Sequence, residues 1–288
     1  MEFRHFRDTD YEAVCDFLIE LNQKDRSHIN WNWARFEWMY EHPEFDKSRR
    51  SSVGLWTDRS RVVGAAIYDM YFGEAFCGAL PEYAALYPDI LSYAYGALKD
   101  GDGLAIAICD GSAAEIEAAE RQGFVRTDQA ETIMKLDLHR ELRRALADGL
   151  SFATPDPQKD AYAMQWLFWQ GFDHGSDREE FERTETIVPQ NRRHFRRDLG
   201  VCAVDRSGEP VACCCLWLHP KTDYAYVEPV CTIPAYRGRG VGSATVAEAL
   251  RRAKALGAEA AYVISDMRFY QALGFETVSR YTFYRKAD

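Results

Sequence analysis

The chain has 288 residues, 47% of them apolar, and a formal net charge of −10. That length favours two domains over one, and the acidic balance argues against a nucleic-acid partner, which calls for a basic face. No apolar run reaches the length of a membrane span and residues 1–7 lack the apolar stretch of a signal peptide, so the reading is a cytoplasmic protein with no membrane partner.

Residues 3–7 read as a short strand, and Asp8 or Asp10 caps a helix that carries Val14, Phe17, Leu18 and Leu21 at helical spacing. An aromatic-rich stretch at 31–40 contains Trp31, Trp33 and Trp38. Strands are predicted at 52–56 and 61–70 around the turn Asp58-Arg59-Ser60. A helix at 88–98, a buried strand at 104–109, a helix at 113–122 stopped by Gly123, and a strand at 130–138 complete the first half. Residues 139–149 are charged and helix-prone and link the halves.

The second half runs through the same order. Strand 151–153 precedes helices at 158–172 and 177–186, then strands at 201–204, 211–219 and 224–232. A helix from 242 ends at Gly257, with Val246, Leu250 and Ala253 on its buried face. A strand at 260–264, a short helix at 269–273 stopped by Gly274, and a strand at 277–285 close the chain. Leu80-Pro81-Glu82-Tyr83 matches Ile233-Pro234-Ala235-Tyr236, 153 residues on. Gln122-Gly123-Phe124 matches Leu273-Gly274-Phe275, 151 residues on. Shared order along the length predicts a diverged internal repeat.

Eight cysteines raise the question of a metal or disulfides. Cys213-Cys214-Cys215 lies in an apolar run, where neighbours on a strand point to opposite faces and cannot converge on one ion. There is no Cys-x-x-Cys pair, so the sequence predicts no metal site and reduced cysteines buried as small hydrophobes.

The chemistry is concentrated in Ile233-Pro234-Ala235-Tyr236-Arg237-Gly238-Arg239-Gly240-Val241-Gly242-Ser243, which runs from a strand through a glycine-rich loop into a helix. A helix start offers unpaired N–H groups and a positive dipole end. Glycines let backbone approach an anion, and Arg237 and Arg239 add charge, so the loop suits a phosphate. No lysine follows the glycines, which excludes the Walker loop, and Ser243 stands where a dinucleotide fingerprint needs its third glycine.

Arg237-x-x-Gly240-x-Gly242, after a strand and Pro234, resembles motif A of the GNAT acetyltransferase superfamily. Phe269-Tyr270-Gln271-Ala272-Leu273-Gly274-Phe275 resembles its motif B at the right distance downstream. The resemblance covers residues 150–288 through the motifs and 1–138 through the repeat. It implies a mixed α/β (α+β) fold: two tandem GNAT-like domains, each a mixed, mostly antiparallel sheet flanked by helices. The expected boundaries are 1–140 and 149–288, with splayed parallel strands in the second domain. It also implies acetyl-CoA as co-substrate and an amine, of small-molecule class, as acceptor. Backbone groups at Cys231, Thr232 and Ile233 would meet the pantetheine, and those from Arg237 and Gly238 through Arg239, Gly240, Val241 and Gly242 to Ser243 the pyrophosphate.

Tyr270 stands at the family's general-acid position, and Glu228 on the neighbouring strand is a base, unless its carboxylate is merely solvated or orders the amine. Ser265 replaces the asparagine that the family often carries before motif B. Trp166, Phe168, Trp169, Phe172 and His174 fall in the region that lines the family's acceptor pocket, though such a stripe more often packs a core. In the first half Arg237, Gly240 and Gly242 correspond to Ala84, Tyr87 and Asp89, so that half is expected to keep the fold without binding coenzyme A. The competing readings are a non-catalytic acyl-CoA or metabolite-binding module and an acyltransferase directed at oxygen or protein.

Overall fold

The computed structural model describes residues 1–42, 45–185 and 192–288. Its first elements are β1 (Glu2–His5), α1 (Tyr11–Lys24), α2 (Trp33–Tyr40), β2 (Gly54–Asp58), β3 (Arg61–Asp69), β4 (Tyr71–Ala79), α3 (Tyr87–Leu98), β5 (Leu104–Cys109), α4 (Ala113–Arg121) and β6 (Val125–Asp137). They are followed by β7 (Ser151–Ala153), α5 (Ala161–Gly171), α6 (Arg178–Thr184), β8 (Gly200–Val204), β9 (Pro210–Trp217) and β10 (Tyr224–Thr232). The chain ends with α7 (Val241–Ala255), β11 (Ala260–Ile264), α8 (Arg268–Leu273) and β12 (Glu276–Lys286).

Two compact units result. The first comprises Met1–Ile133, Ile264–Asp266 and Thr277–Asp288; the second comprises Met134–Val263 and Met267–Glu276. In the first unit the strands lie in the order β1-β2-β3-β4-β5-β12. All neighbours are antiparallel except β4 and β5, which run parallel and pair only at Glu74↔Ala105 and Ala75↔Ile106. Helices α1 and α3 pack on β3. Val14, Leu18 and Leu21 of α1 are fully buried, as their spacing requires.

In the second unit the order is β11-β10-β9-β8-β7, with β10 and β11 parallel and the rest antiparallel. Strand alternation divides its core between two faces. Val201, Cys214, Leu216 and Val227 pack with Val246 and Leu250 of α7. Cys202, Cys213 and Cys231 pack with Met164 and Leu167 of α5. The sheet is thus covered by a helix on each face, and burying both faces is what makes β9 read as an unbroken apolar run.

Three elements depart from the sequence reading. Strand β4 has no counterpart in it, because Gly73, Glu74 and Gly78 break the alternation of apolar side chains. Residues 139–149 form no helix. They are tied to the second unit by Arg144 Nη2 to Ala272 O (3.0 Å) and by Leu142, Leu146 and Ala147 packing on its core. The closing strand β12 belongs from Thr277 onward to the first unit, where Tyr281–Lys286 pair with β5. The helix expected at 177–186 is α6, ending at Thr184; residue 186 lies outside the described residues.

Removing residues 277–288 should therefore free the ladder amides of β5. Hydrogen exchange should accelerate at Leu104–Cys109 and leave α7 protected, whereas unchanged protection of β5 would contradict this pairing.

Candidate active site

The site begins where β10 leaves β11. The two strands pair at Tyr224, Ala225 and Tyr226 and then separate. Pro229 supplies no N–H to a ladder, and the register of β10 on β9 shifts between Val227 and Val230. Ile233 donates its N–H to Val211 O of β9 at 3.0 Å. Strand alternation then turns the N–H groups of Thr232 and Val230 to the open edge. Of the three residues assigned to the pantetheine, it is therefore Thr232 that faces the gap with its backbone, while the N–H of Ile233 is spent on β9.

The chain next enters the glycine-rich loop. Gly238 and Gly240 have φ of +71° and +76°, a left-handed conformation that strains any residue with a Cβ, and a Cβ added to either would meet nothing within 4 Å. Helix α7 starts at Val241, and its first i→i−4 bond is Ala244 N–H to Gly240 O. The N–H groups of Val241, Gly242 and Ser243 consequently have no acceptor inside the helix, and no side chain caps it at Gly240. Gly242 is needed for a different reason: a Cβ there would lie 2.7 Å from Thr232 Oγ1, so only glycine lets the first turn of α7 rest on β10.

These elements enclose a cavity of about 620 Å3. Cys231, Thr232, Arg237, Gly238, Gly240, Val241, Gly242, Ser243 and Tyr270 line it, as the sequence reading groups them. So do Gly171, Phe172 and Asp173 at the end of α5, Val230, Tyr236, Met267 and Phe269, which that reading does not assign to the coenzyme site. Glu228, Ile233, Arg239 and Ser265 are outside this lining. Ser265 is grouped with the first unit and donates its N–H to Thr132 O at 2.8 Å.

The arginines behave unlike free phosphate ligands. Arg237 donates Nε to Thr232 O (2.9 Å), Nη2 to Gly171 O (2.8 Å) and Nη1 to both carboxylate oxygens of Asp173 (2.8 and 3.1 Å). It fastens the end of α5 to the end of β10 and so fixes the cavity's width. Arg239 stacks over Tyr236, 5.0 Å from the ring centroid. Asp173 and Gly171 carry no sequence signal for this role, since neither belongs to a motif and the bond to Arg237 spans more than sixty residues.

Tyr270 sits on the short helix α8 and is buried, and among the described residues its hydroxyl has no hydrogen-bond partner. Burial foremost, and then the nearby Cys214, Glu228 and Cys213, push its phenol well above the usual tyrosine range, so it stays protonated at neutral pH. Glu228 is half-buried on β10; its carboxylate accepts from Tyr226 Oη at 2.8 Å, and its carbonyl accepts from Trp217 Nε1 at 2.9 Å. Trp169 is buried against Phe181 and His174, and Trp166 packs on Phe181, so that aromatic stripe is mostly core. Phe172 and His174 are the exceptions: both are exposed, and Phe172, 49% exposed, lines the cavity.

Residues 161–275 match the model of the Acetyltransferase (GNAT) family. Over that segment the chain is similar to the GNAT acetyltransferases. In fold it is similar to a GCN5-related N-acetyltransferase from Sphaerobacter thermophilus, with 15% identity, 99% of this chain and 95% of that one covered, and a TM-score of 0.60. It is similar also to a tandem GNAT protein from the clavulanic acid biosynthesis pathway, with 16% identity, 99% and 98% covered, and a TM-score of 0.62. A third is a GNAT-family acetyltransferase from Colwellia psychrerythraea, with 11% identity, 99% and 99% covered, and a TM-score of 0.60. At such identities the likeness is one of fold, and it is the tandem fold that the internal repeat predicts. A comparison with curated proteins gives no match.

The equivalent region of the first unit is built differently. Tyr87, at the place of Gly240, opens α3 with its ring buried, and its hydroxyl is within electrostatic reach of Glu115 and Cys77. Glu115 is bonded to His28 Nε2 at 3.0 Å, and Asp25 lies 3.4 Å from Nδ1. Burial disfavours a charge on His28, but the two carboxylates outweigh it and raise its pKa to about 9. A raised folded-state pKa stabilises fully below the unfolded value of about 6.5, and that contribution is lost as the pH rises through about 9. Denaturant unfolding at pH 6.5 and 9.5 should show the wild type losing more stability than Glu115→Gln, in which Asp25 still faces His28; equal losses would contradict a part for Glu115 in charging His28.

Proposed function

We propose that the second unit transfers an acetyl group from acetyl-CoA to the amine of a small acceptor, and that each chain has one coenzyme site. The observation that carries this reading is the cradle at the start of α7. Open space at Gly238 and Gly240, and the free N–H groups of Val241, Gly242 and Ser243, suit a pyrophosphate. The unpaired edge of β10 and Tyr270 line the same cavity, which suits a pantetheine arm and a thioester that follow the pyrophosphate.

In this mechanism the acceptor's neutral nitrogen attacks the thioester carbonyl carbon and the carbon–sulfur bond breaks. Backbone N–H groups on the open edge of β10 stabilise the charge that develops on the carbonyl oxygen. Tyr270, kept protonated by burial, gives its proton to the departing sulfur. Glu228 takes the proton lost by the amine, directly or through water, and Tyr226 holds its carboxylate in place. Arg237 is a positioning residue that holds the cavity open to a fixed width. Tyr87 fills the corresponding place in the first unit, which supports a single coenzyme site. The eight free thiols fit a reducing compartment such as the cytoplasm.

Acetyl-CoA at a hundredfold excess over its Kd should stabilise the protein by about 2.7 kcal/mol. A panel of amines, aminoglycosides, polyamines, amino acids and peptides, read by release of free thiol, should identify the acceptor class. Tyr270→Phe should then bind acetyl-CoA normally and lose about a hundredfold in kcat. Binding without thiol release from any acceptor would leave a sensing module, and an unaltered kcat in Tyr270→Phe would remove the general acid.

A further inference from the structure

Along β9 the three consecutive cysteines point to alternate faces, but across the sheet the thiols line up. Cys202 of β8 lies opposite Cys213 of β9, and Cys213 lies opposite Cys231 of β10. Directly opposed residues of an antiparallel ladder share a face, and all three pack under α5 with Met164 and Leu167. Within this row the sulfurs are unequal. Cys202 Sγ is turned to Met164 Sδ at 3.4 Å, whereas Cys213 Sγ and Cys231 Sγ face each other at 3.6 Å. Opposed Cα atoms in such a ladder are about 4.5–5.5 Å apart, inside the range of about 4.4–6.8 Å that a disulfide spans.

Cys231 is also part of the wall of the cavity. We propose that Cys213 and Cys231 form an oxidation site, a reversible disulfide in the wall of the cavity that closes it to the coenzyme. The part of this proposal that concerns the coenzyme rests on the function given above; the disulfide itself does not.

With a hydroperoxide as oxidant the chemistry balances. Cys231 Sγ attacks one peroxide oxygen, the O–O bond breaks, and one water leaves. Cys213 Sγ attacks the resulting sulfenic acid, the S–S bond forms, and a second water leaves. Two thiols lose two electrons between them, and one hydrogen peroxide becomes two waters. Cys231 reacts first because it lines the cavity. The Cys213 thiol, held up by its contact with Cys231 and by burial, is the resolving partner.

Closing the bond draws the two sulfurs from 3.6 Å to about 2.05 Å. The neighbourhood has little slack to absorb this. A Cβ on Gly171 would lie 2.6 Å from Cys231 Sγ, so the end of α5 already rests on this residue. The next residue, Thr232, carries the first turn of α7 and accepts from Arg237. A shift of Cys231 therefore reaches the open edge of β10 and the loop together.

The test treats the full-length protein with hydrogen peroxide and maps peptides without reductant. The expected product is one cross-link between Cys213 and Cys231, a mass loss of two hydrogens, and reversal by dithiothreitol. Cys213→Ala and Cys213→Ser should not form it and should keep basal activity, while Cys202→Ala should still form it. A different pairing, or no cross-link under conditions that oxidise the wild-type thiols, would overturn the proposal. Acetyl-CoA affinity measured before and after oxidation should fall about tenfold. An unchanged affinity in the cross-linked protein would overturn the closure. Failure of the reduced protein to bind acetyl-CoA at all would instead count against the function, and the cross-link would still stand or fall on the peptide map.

Discussion

The second unit depends on the separation of β10 from β11 after three paired residues. A continued parallel ladder would satisfy every backbone group on that edge and leave no room for a ligand. The ladder with β11 stops at Tyr226, just before Pro229 and a register shift on β9, and the freed edge becomes the wall of the cavity. Everything else in the site maintains that gap. Gly242 lets α7 rest on Thr232 at the end of β10, and Arg237 fastens the end of α5 to the same residue. The first unit has the same short parallel contact between β4 and β5, but the place of Gly240 holds the buried ring of Tyr87 and a network of His28 with two carboxylates. One topology thus carries two outcomes, separated by which side chain begins the helix.

Much of the site is legible in the sequence because it depends on backbone conformation, and glycine is the residue that reports it. The positive φ at Gly238 and Gly240 and the close approach at Gly242 are each signalled by the lack of a Cβ. Tyr270 is legible for a related reason, lying one helical turn before Gly274, which ends α8 in the left-handed region. What is not legible depends on partners distant in sequence. Arg237 reads as a free cation, and only the fold supplies Asp173 and Gly171. The same holds for the thiols: reading along β9 separates Cys213 from its neighbours, and only the register sets it against Cys231.

In the fold, amphipathic helices such as α1 and α7 follow from their periodicity, whereas β4 is hidden by Gly73, Glu74 and Gly78. The pairing of β12 with β5 is illegible on principle. Alternation shows that residues 277–285 form a strand, but hydrogen bonding in a sheet does not depend on side-chain type, so the pattern cannot name the strand it joins. The link at 139–149 has helix-forming composition, and its tertiary contacts override that preference.

The start of α7 is the proposed seat of the coenzyme's pyrophosphate. Ser243→Glu tests this most directly, because a carboxylate in the first turn favours the helix through its dipole but repels a phosphate at the same place. Titration calorimetry with acetyl-CoA should show one site per chain in the wild type, and at least about tenfold weaker binding in Ser243→Glu at undiminished stability. Unaltered affinity in that variant, or a second site per chain, would contradict the account.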